Sequence, residues 1–226
     1  MDKYRVEVAG GTGFVGQWMK CTQPETVSAN YLSRKQYSYL STAARCEAIV
    51  HLPNSDPSWS IEFAKKNGLR LLYCSSGIVY HSEWDTEYRH NKIKWEQDCL
   101  DSGVDVVIAR LFTFFGDGLD ANKAISKFTL AAKSNQPIHV TGGGRTIRSY
   151  MHGEDLGKWM WAILLKGESG QAYDVGDDNP INMFDLAQLV KKSCDSSSDI
   201  IVSDTPDPMP VYLPKDTAKT RRLLTS

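Results

Sequence analysis

The chain has 226 residues, of which 41% are hydrophobic and 23% charged, and its formal net charge is -1. This length is enough for one substantial α/β core, or for such a core with a small additional lobe. A near-neutral charge gives no basic field for nucleic acid or anionic lipid, so small molecules and further copies of the chain are the expected partners.

The first motif is a run of glycines, Gly10-Gly11-Thr12-Gly13-Phe14-Val15-Gly16, which follows an apolar segment predicted as a strand over 4–9. Glycines at this spacing let the chain turn sharply, bring backbone N–H groups up to a pyrophosphate and let the next helix pack closely. The positive end of that helix dipole then faces the anion. An ordinary glycine-rich turn is the alternative. The flanking strand and helix favour dinucleotide binding by Gly10, Gly13, Phe14, Val15 and Gly16.

Short apolar runs then alternate with helical patterns, which indicates an α/β fold with a doubly wound, Rossmann-type parallel sheet. Further strands are predicted over 27–32, 48–52, 69–74 and 104–109, and a long helix over 87–100. After residue 118 the pattern changes to helices near 121–133, 153–165 and 183–192, with short strands near 137–140 and 171–175. We expect a mainly dinucleotide-binding domain over 1–116 and a mainly substrate-binding α/β lobe over 117–226, interleaved as one compact unit.

The second predicted strand ends at Ser33-Arg34-Lys35, where an NAD enzyme usually carries an acid that binds the ribose hydroxyls. Glu25 comes too early in the chain for that role. Because a planar guanidinium can pair with a 2′-phosphate, Ser33 and Arg34 favour NADP(H) as the cofactor, with NAD(H) as the alternative. A solvated surface charge is the other interpretation of Arg34.

The second candidate site is the segment from Tyr88 to Lys92 on the predicted long helix. Residues four apart lie on one face of a helix, so the phenol of Tyr88 and the ammonium of Lys92 can point into one cleft. A nearby positive charge lowers the pKa of a tyrosine towards the range useful for acid/base catalysis. The same spacing occurs from Tyr31 to Lys35, at a predicted strand end, where it does not make a compact pair.

Two serines, Ser75 and Ser76, lie at the carboxyl end of the strand that precedes this helix. Ligands of open α/β sheets bind at the carboxyl ends of strands. The hydroxyl of Ser76 is therefore predicted to hydrogen-bond a substrate carbonyl or alcohol while Tyr88 moves the proton. Capping of a turn is the alternative role for these serines.

At this point the chain resembles the extended short-chain dehydrogenase/reductases, also called the NAD-dependent epimerase/dehydratase family, which act on nucleotide sugars. The glycine run resembles the cofactor loop of the family, residues 75–80 its serine segment, and Tyr88 with Lys92 its catalytic pair. Glu96 matches a glutamate that is usual after that lysine. Residues 110–116, 142–150 and 212–224 resemble further family segments, with Thr113 where asparagine is usual.

The resemblance implies roles for residues by position. Ser76, Tyr88 and Lys92 are expected to be catalytic. The cofactor is expected to contact Leu52, Leu111, Tyr88 and Lys92 in addition to the glycine loop and Ser33-Arg34. A nucleotide-sugar substrate is expected to contact Ser76, Thr113, Arg148 and Tyr212.

The chain departs from the family between the glycine loop and Tyr88, where it is shorter than usual. A third strand and parts of two helices are therefore expected to be reduced or missing. Family dehydratases carry an acidic pair directly after the serine or threonine, but Gly77 and Ile78 occupy those places. The resemblance thus favours NADPH-dependent reduction of a 4-keto (6-deoxy)hexose nucleotide. The alternatives are NAD-dependent 4-epimerisation and a catalytically silent NADP-binding sensor or scaffold, against which the retained Ser76, Tyr88 and Lys92 argue.

The 5 cysteines are scattered without paired or metal-ligand spacing, and they are interpreted as reduced, mostly buried thiols. No metal site is predicted. The N-terminus has no signal pattern, and no apolar run has the length of a membrane span. We therefore expect a cytoplasmic protein that acts on a nucleotide sugar, without nucleic acid or membrane partners, and leave a homodimer open.

Overall fold

The structure is a computed structural model that describes residues 2–36, 46–206 and 209–225. The chain forms two compact units, and each unit is assembled from separated stretches of sequence. Unit 1 comprises Met1–Phe112, Gly153–Val175 and Pro214–Ser226. Unit 2 comprises Thr113–His152 and Gly176–Leu213.

Unit 1 is built on a parallel sheet that has six strands in the part of the chain described. Its strands are β1 (Tyr4–Ala9), β2 (Val27–Leu32), β3 (Ala48–His51), β4 (Arg70–Ser76), β5 (Val106–Leu111) and β10 (Gln171–Val175). Its helices are α1 (Phe14–Cys21), α2 (Ser58–Asn67), α3 (Glu87–Asp101), α5 (Gly153–Lys166) and α7 (Thr217–Thr225). The predicted α/β fold with a doubly wound parallel sheet is confirmed.

The strand order is β10-β5-β4-β3-β1-β2. In the usual doubly wound order, 3-2-1-4-5-6, another strand lies outside the second one. Among the described residues no strand occupies that position, and the segment on which the expected loss of a strand falls is only partly described. Residues 37–45, in the connection between β2 and β3, lie outside the described residues.

The central strands are apolar along their length because helices cover both faces of the sheet. All four residues of β3 are buried, and so are most residues of β4 and β5. One side of this core consists of Leu32, Ile49, Ala64, Leu69, Leu71, Tyr73, Cys99, Val106 and Ile108. Between α5 and α1, the indole of Trp161 donates a hydrogen bond of 2.8 Å to the carbonyl of Met19.

Unit 2 contains short strands packed with two helices. The strands are β6 (Phe114–Phe115), β7 (Ile138–Val140), β8 (Ile147–Ser149), β9 (Met151–His152), β11 (Pro180–Asn182), β12 (Ile200–Val202) and β13 (Val211–Tyr212). The helices are α4 (Ala124–Lys133) and α6 (Met183–Ser193). Their shared core consists of Phe128, Ala132, Ile138, Val140, Met183, Leu186, Ala187 and Val190.

The cysteines are free, as predicted, but most of them are not buried. Cys74 and Cys99 are buried, whereas Cys21 is exposed and Cys46 and Cys194 are half-buried. The prediction of mostly buried thiols was wrong because three of the cysteines lie at or next to the ends of elements, where water reaches them. None of the helices within the described ranges is long and apolar enough to span a membrane.

Candidate active site

The carboxyl ends of β1, β3, β4 and β5 lie along one edge of the parallel sheet. In the strand register Ala9 is opposite His51, and Ser76 is opposite Leu111. The N–H of Leu52 continues the ladder by donating to the carbonyl of Ala9 at 3.1 Å. The residues that follow these strands therefore gather at the edge where open α/β sheets bind ligands.

The glycine loop turns the chain from β1 into α1. Gly10 has a φ of +79°, a left-handed conformation that favours glycine. The N–H groups of Gly10 and Gly11 both donate to the carbonyl of Leu32 at 3.0 Å, which holds the loop against the end of β2. A Cβ at Gly16 would lie 2.5 Å from the Cα of Gly11, so helix and loop pack too closely for any side chain there. This cradle fits a dinucleotide pyrophosphate, which needs close backbone approach at a helix N-terminus.

The end of β2 carries the residues predicted to choose the cofactor. Ser33 donates from its hydroxyl to the side-chain oxygen of Gln36 at 2.7 Å, in a short turn that also contains Arg34. Arg34 is exposed. The second tyrosine and lysine pair spaced by four is split between the strand and this turn, so Tyr31 and Lys35 do not share a helix face.

Helix α3 presents Tyr88 and Lys92 beside the end of β4. The helix begins after Thr86, whose hydroxyl accepts a hydrogen bond from the N–H of Arg89 at 3.2 Å. The phenol of Tyr88 hydrogen-bonds the side chain of Ser76. Burial raises the pKa of the phenol and the hydrogen bond with Ser76 lowers it, with a net rise above the ordinary value, whereas the sequence predicted a lowering by Lys92. The phenol is therefore protonated at neutral pH and can act as a proton donor.

Lys92 is almost completely buried and reaches back towards β4. It is 3% exposed, and its Nζ donates to the carbonyl of Cys74 at 3.1 Å and to the hydroxyl of Tyr73 at 3.5 Å. Its Nζ lies 5.9 Å from the ring centre of Tyr88. Burial lowers the pKa of the ammonium from its ordinary value. The structure thus brings together Ser76, Tyr88 and Lys92, the three residues predicted to be catalytic.

A buried polar network ties α3 to β4 and β5. The carboxylate of Glu96 accepts from Ser75 Oγ at 2.5 Å and from Arg110 Nη2 at 2.5 Å. Burial lowers the pKa of Arg110. The hydrogen bond with Glu96 and the negative charge of Glu96 raise it by more, so that the pKa lies above its usual range. Arg110 also donates to the hydroxyl of Tyr80 at 2.7 Å, and that hydroxyl donates to Asp174 Oδ1 at 2.9 Å. The network fixes the backbone on both sides of Ser76.

His51 lies fully buried at the end of β3. Its Nε2 is 3.2 Å from the carbonyl of Ser55, which can only accept, so Nε2 carries the proton and Nδ1 accepts from the hydroxyl of Ser60 at 2.8 Å. Burial lowers the pKa of His51 from 6.5 to about 4. The ring is therefore neutral at pH 7.

The stability of the protein is expected to fall between pH 6.5 and pH 4 because of this histidine. In that window the unfolded chain binds a proton at His51 that the folded chain does not bind, so unfolding becomes easier as the pH falls. The loss at pH 4 is about 3 kcal/mol. Urea unfolding across this window should show a shallower pH dependence for His51→Gln than for the parent. Equal slopes for the parent and His51→Gln would contradict the assignment.

Unit 2 contains the remaining residues predicted to bind substrate. Arg148 on β8 and Tyr212 on β13 are opposite each other in register, with the guanidinium 5.9 Å from the ring centre. Thr113 accepts a backbone hydrogen bond from Met151 at 3.1 Å. The same unit holds a cavity of about 880 Å³ between α4, α6 and the loops after β6 and before β11. None of the three predicted residues lines this cavity, as far as the described residues show.

Comparisons with known proteins point to one family. The model of the NAD dependent epimerase/dehydratase family matches residues 60–176. UDP-glucuronic acid decarboxylase 1 of Arabidopsis thaliana is 28% identical over 160 residues, which cover 61% of this chain and 37% of that protein. The chain spans less than half the length of the first curated relatives that it matches.

Two solved structures share the fold over almost the whole chain. RMD from Pseudomonas aeruginosa, complexed with NADPH, has a TM-score of 0.82 at 18% identity, over 99% of this chain and 93% of that one. UDP-N-acetylglucosamine 4-epimerase from Bacillus cereus has a TM-score of 0.82 at 16% identity, over 99% of this chain and 91% of that one. At these identities the likeness shows the fold.

Proposed function

Since this chain belongs to the NAD dependent epimerase/dehydratase family, we propose that it is an NAD(P)-dependent nucleotide-sugar enzyme that reduces a 4-keto (6-deoxy)hexose nucleotide with NADPH. The observation that supports this most is the meeting of Ser76, at the end of β4, with Tyr88 and Lys92 on α3, where the Lys92 Nζ lies 5.9 Å from the ring centre of Tyr88. Reduction of a ketone needs a proton donor, and the phenol of Tyr88 is protonated at neutral pH.

The proposed reaction assigns one task to each side chain. NADPH, when bound, supplies the hydride for C4 of the sugar. Ser76 hydrogen-bonds the carbonyl oxygen, and Tyr88 transfers its proton to that oxygen as it gains negative charge. Lys92 stabilises the phenolate left on Tyr88, which then takes a proton from water. The products are NADP⁺ and the C4 alcohol, which has gained the hydride on carbon and the proton on oxygen.

The test is a set of substrates incubated with purified protein. A fall in NADPH absorbance with a 4-keto-6-deoxyhexose nucleotide supports the reductase. Interconversion of UDP-galactose and UDP-glucose with NAD would instead identify a 4-epimerase, and release of CO₂ from UDP-glucuronic acid would identify a decarboxylase. Tight cofactor binding without turnover of any sugar nucleotide would overturn the enzymatic proposal in favour of a sensor or scaffold.

We further propose that NADP(H) is preferred because Arg34 is exposed at the end of β2, where a 2′-phosphate would lie. Arg34→Ala is expected to weaken NADPH binding by about tenfold to hundredfold, since an arginine and phosphate pair is lost. NADH binding should hardly change, because NADH lacks that phosphate. Fluorescence titration of both cofactors measures this, with Lys35→Ala as the matched control for loss of a neighbouring charge. Tighter binding of NADH than NADPH by the parent would refute the preference.

For the substrate we propose that Arg148 binds the nucleotide diphosphate, with Tyr212 packed beside its guanidinium. The 5.9 Å distance between guanidinium and ring centre supports this pairing. Arg148 Nη1 donates to the carbonyl of Ile147 at 2.8 Å, and a guanidinium has five N–H donors, so it can hydrogen-bond phosphate oxygens in addition.

A further inference from the structure

The buried ammonium of Lys92 does not pair with the carboxylate that the sequence leads one to expect, that of Glu96. Lysine and glutamate four apart on a helix lie on one face and ordinarily pair. Glu96 instead binds Arg110, with 2.5 Å between Oε2 and Nη2, and Ser75, with 2.5 Å between Oε1 and Oγ. Within the described part of the chain, no carboxylate forms an ion pair with Lys92.

Aromatic rings surround the ammonium in place of a carboxylate. The Nζ lies 5.3 Å from the ring centre of Tyr73, 5.6 Å from that of Trp95 and 5.9 Å from that of Tyr88. All three distances are within the range of effective cation–π attraction. With the carbonyl of Cys74, these rings form what we call the Lys92 cage, and every member of the cage is uncharged.

A neutral cage has an electrostatic consequence that an ion pair would not have. A carboxylate beside Lys92 would cancel most of the field of the ammonium at the neighbouring phenol. The rings and the carbonyl attract the cation through their permanent multipoles. Because these groups carry no net charge, the net positive charge of the site remains. A phenolate that forms on Tyr88 then experiences the positive charge of the buried ammonium, which water screens only in part because Tyr88 is 41% exposed.

We propose that Trp95 is a positioning residue for the reaction, one that keeps the Lys92 ammonium charged and beside Tyr88 without neutralising it. This inference rests on the proposed function, because the charge has this task only if Tyr88 transfers a proton. Trp95 is the informative member of the cage, since Tyr88 is the reacting group and Tyr73 is part of the sheet core.

Three of the titratable groups around Lys92 carry no charge at neutral pH. Burial raises the pKa of Cys74 to about 11 and that of Cys99 to about 12, and it lowers the pKa of His51 to about 4. Glu96 is charged and raises the pKa of Lys92, but it stays paired with Arg110 and is unchanged in the Trp95 variants. A change in the titration of Lys92 can therefore be assigned to the cage.

The experiment weakens the attraction between the Trp95 ring and the Lys92 ammonium without changing the shape of the ring. Protein grown with 5-fluorotryptophan has less electron density on the indole face, and ¹⁵N-lysine NMR follows the titration of the Lys92 Nζ. We expect Lys92 to bind its proton about twofold more weakly after fluorination and about threefold to tenfold more weakly in Trp95→Leu. The basic limb of the pH–rate profile should move to lower pH by a corresponding amount. Trp95→Phe should bring both the Nζ titration and the pH–rate profile most of the way back to those of the parent.

The matched control is Trp95→Phe grown with and without 5-fluorotryptophan, in which fluorination should no longer move the Nζ titration. An unchanged titration in both the fluorinated parent and Trp95→Leu would overturn the inference. If Trp95→Leu does not fold, the fluorinated parent decides alone. Absence of turnover in the parent would overturn the proposed function, and with it the catalytic task of the cage, while a shifted titration would still show that Trp95 holds the charge.

Discussion

Tyr88→Phe is expected to lower the rate of 4-keto sugar reduction by about 10²- to 10⁴-fold, the range for loss of a general acid. Phenylalanine keeps the ring beside Lys92 and removes only the hydroxyl that hydrogen-bonds Ser76. Because Tyr88 is 41% exposed, its truncation should hardly alter the stability of the fold. NADPH absorbance measures the rate, and thermal unfolding checks that the variant is folded.

The chain provides a matched control for this variant. Tyr31 also precedes a lysine by four residues, but it lies on β2, where its hydroxyl donates to Gln23 at 3.1 Å. Tyr31→Phe should therefore retain the rate of the parent. Activity of Tyr88→Phe within tenfold of the parent would remove the phenol from the mechanism.

Glu96→Ala is expected to destabilise the protein by about 3 kcal/mol, the lower end of the range for removal of one partner from a buried ion pair. Arg110 would be left with its charge inside the network and no carboxylate beside it. The lower end applies because the Arg110 side chain keeps 21% exposure. The free energy of unfolding in urea at pH 7 measures the effect.

The same helix offers a control for this change. Lys94 and Asp98 form an exposed ion pair of 2.5 Å on α3, and exposed pairs contribute little because water screens them. Asp98→Asn should leave the unfolding curve unchanged. Replacing both partners, as Glu96→Leu with Arg110→Met, should recover much of the lost stability because no buried charge is then unpaired. Parent-like stability of Glu96→Ala would contradict the role given to the network.

Motifs with strong local causes were predictable from the sequence. The glycine loop, the central strands and α3 follow from apolar runs, glycine spacing and helix periodicity, which are properties of neighbouring residues. Ser76, Tyr88 and Lys92 lie together in the structure because the carboxyl end of a parallel strand and the helix that follows it must lie close together.

Helix α2 was not predicted, and its residues explain why. Its fully buried residues, Ser60 and Ala64, are small, and its larger apolar residues, Trp59, Ile61 and Phe63, alternate with polar ones as in a strand. The available signals were its boundaries, Pro57 before the first turn and Gly68 in a left-handed conformation after the last one.

The buried network was also beyond sequence reasoning, since its members are far apart along the chain. Tyr80 and Asp174 are separated by 94 residues, and nothing local to either one indicates the other. The cage around Lys92 has a similar origin. The spacing from Lys92 to Glu96 favours an ion pair on the helix, but the tertiary contact with Arg110 overrides it.

The interleaving of the two units has a consequence during synthesis of the chain. Strand β5 ends at Leu111, but its second neighbour, β10, begins only at Gln171, after the first stretch of unit 2. A ribosome that works from the N-terminus therefore releases β5 with one edge unpaired, and an apolar strand edge can recruit strands of other nascent chains. Until β10 has been synthesised this edge of β5 stays open to such pairing, and a chaperone that covers β5 would act in this interval.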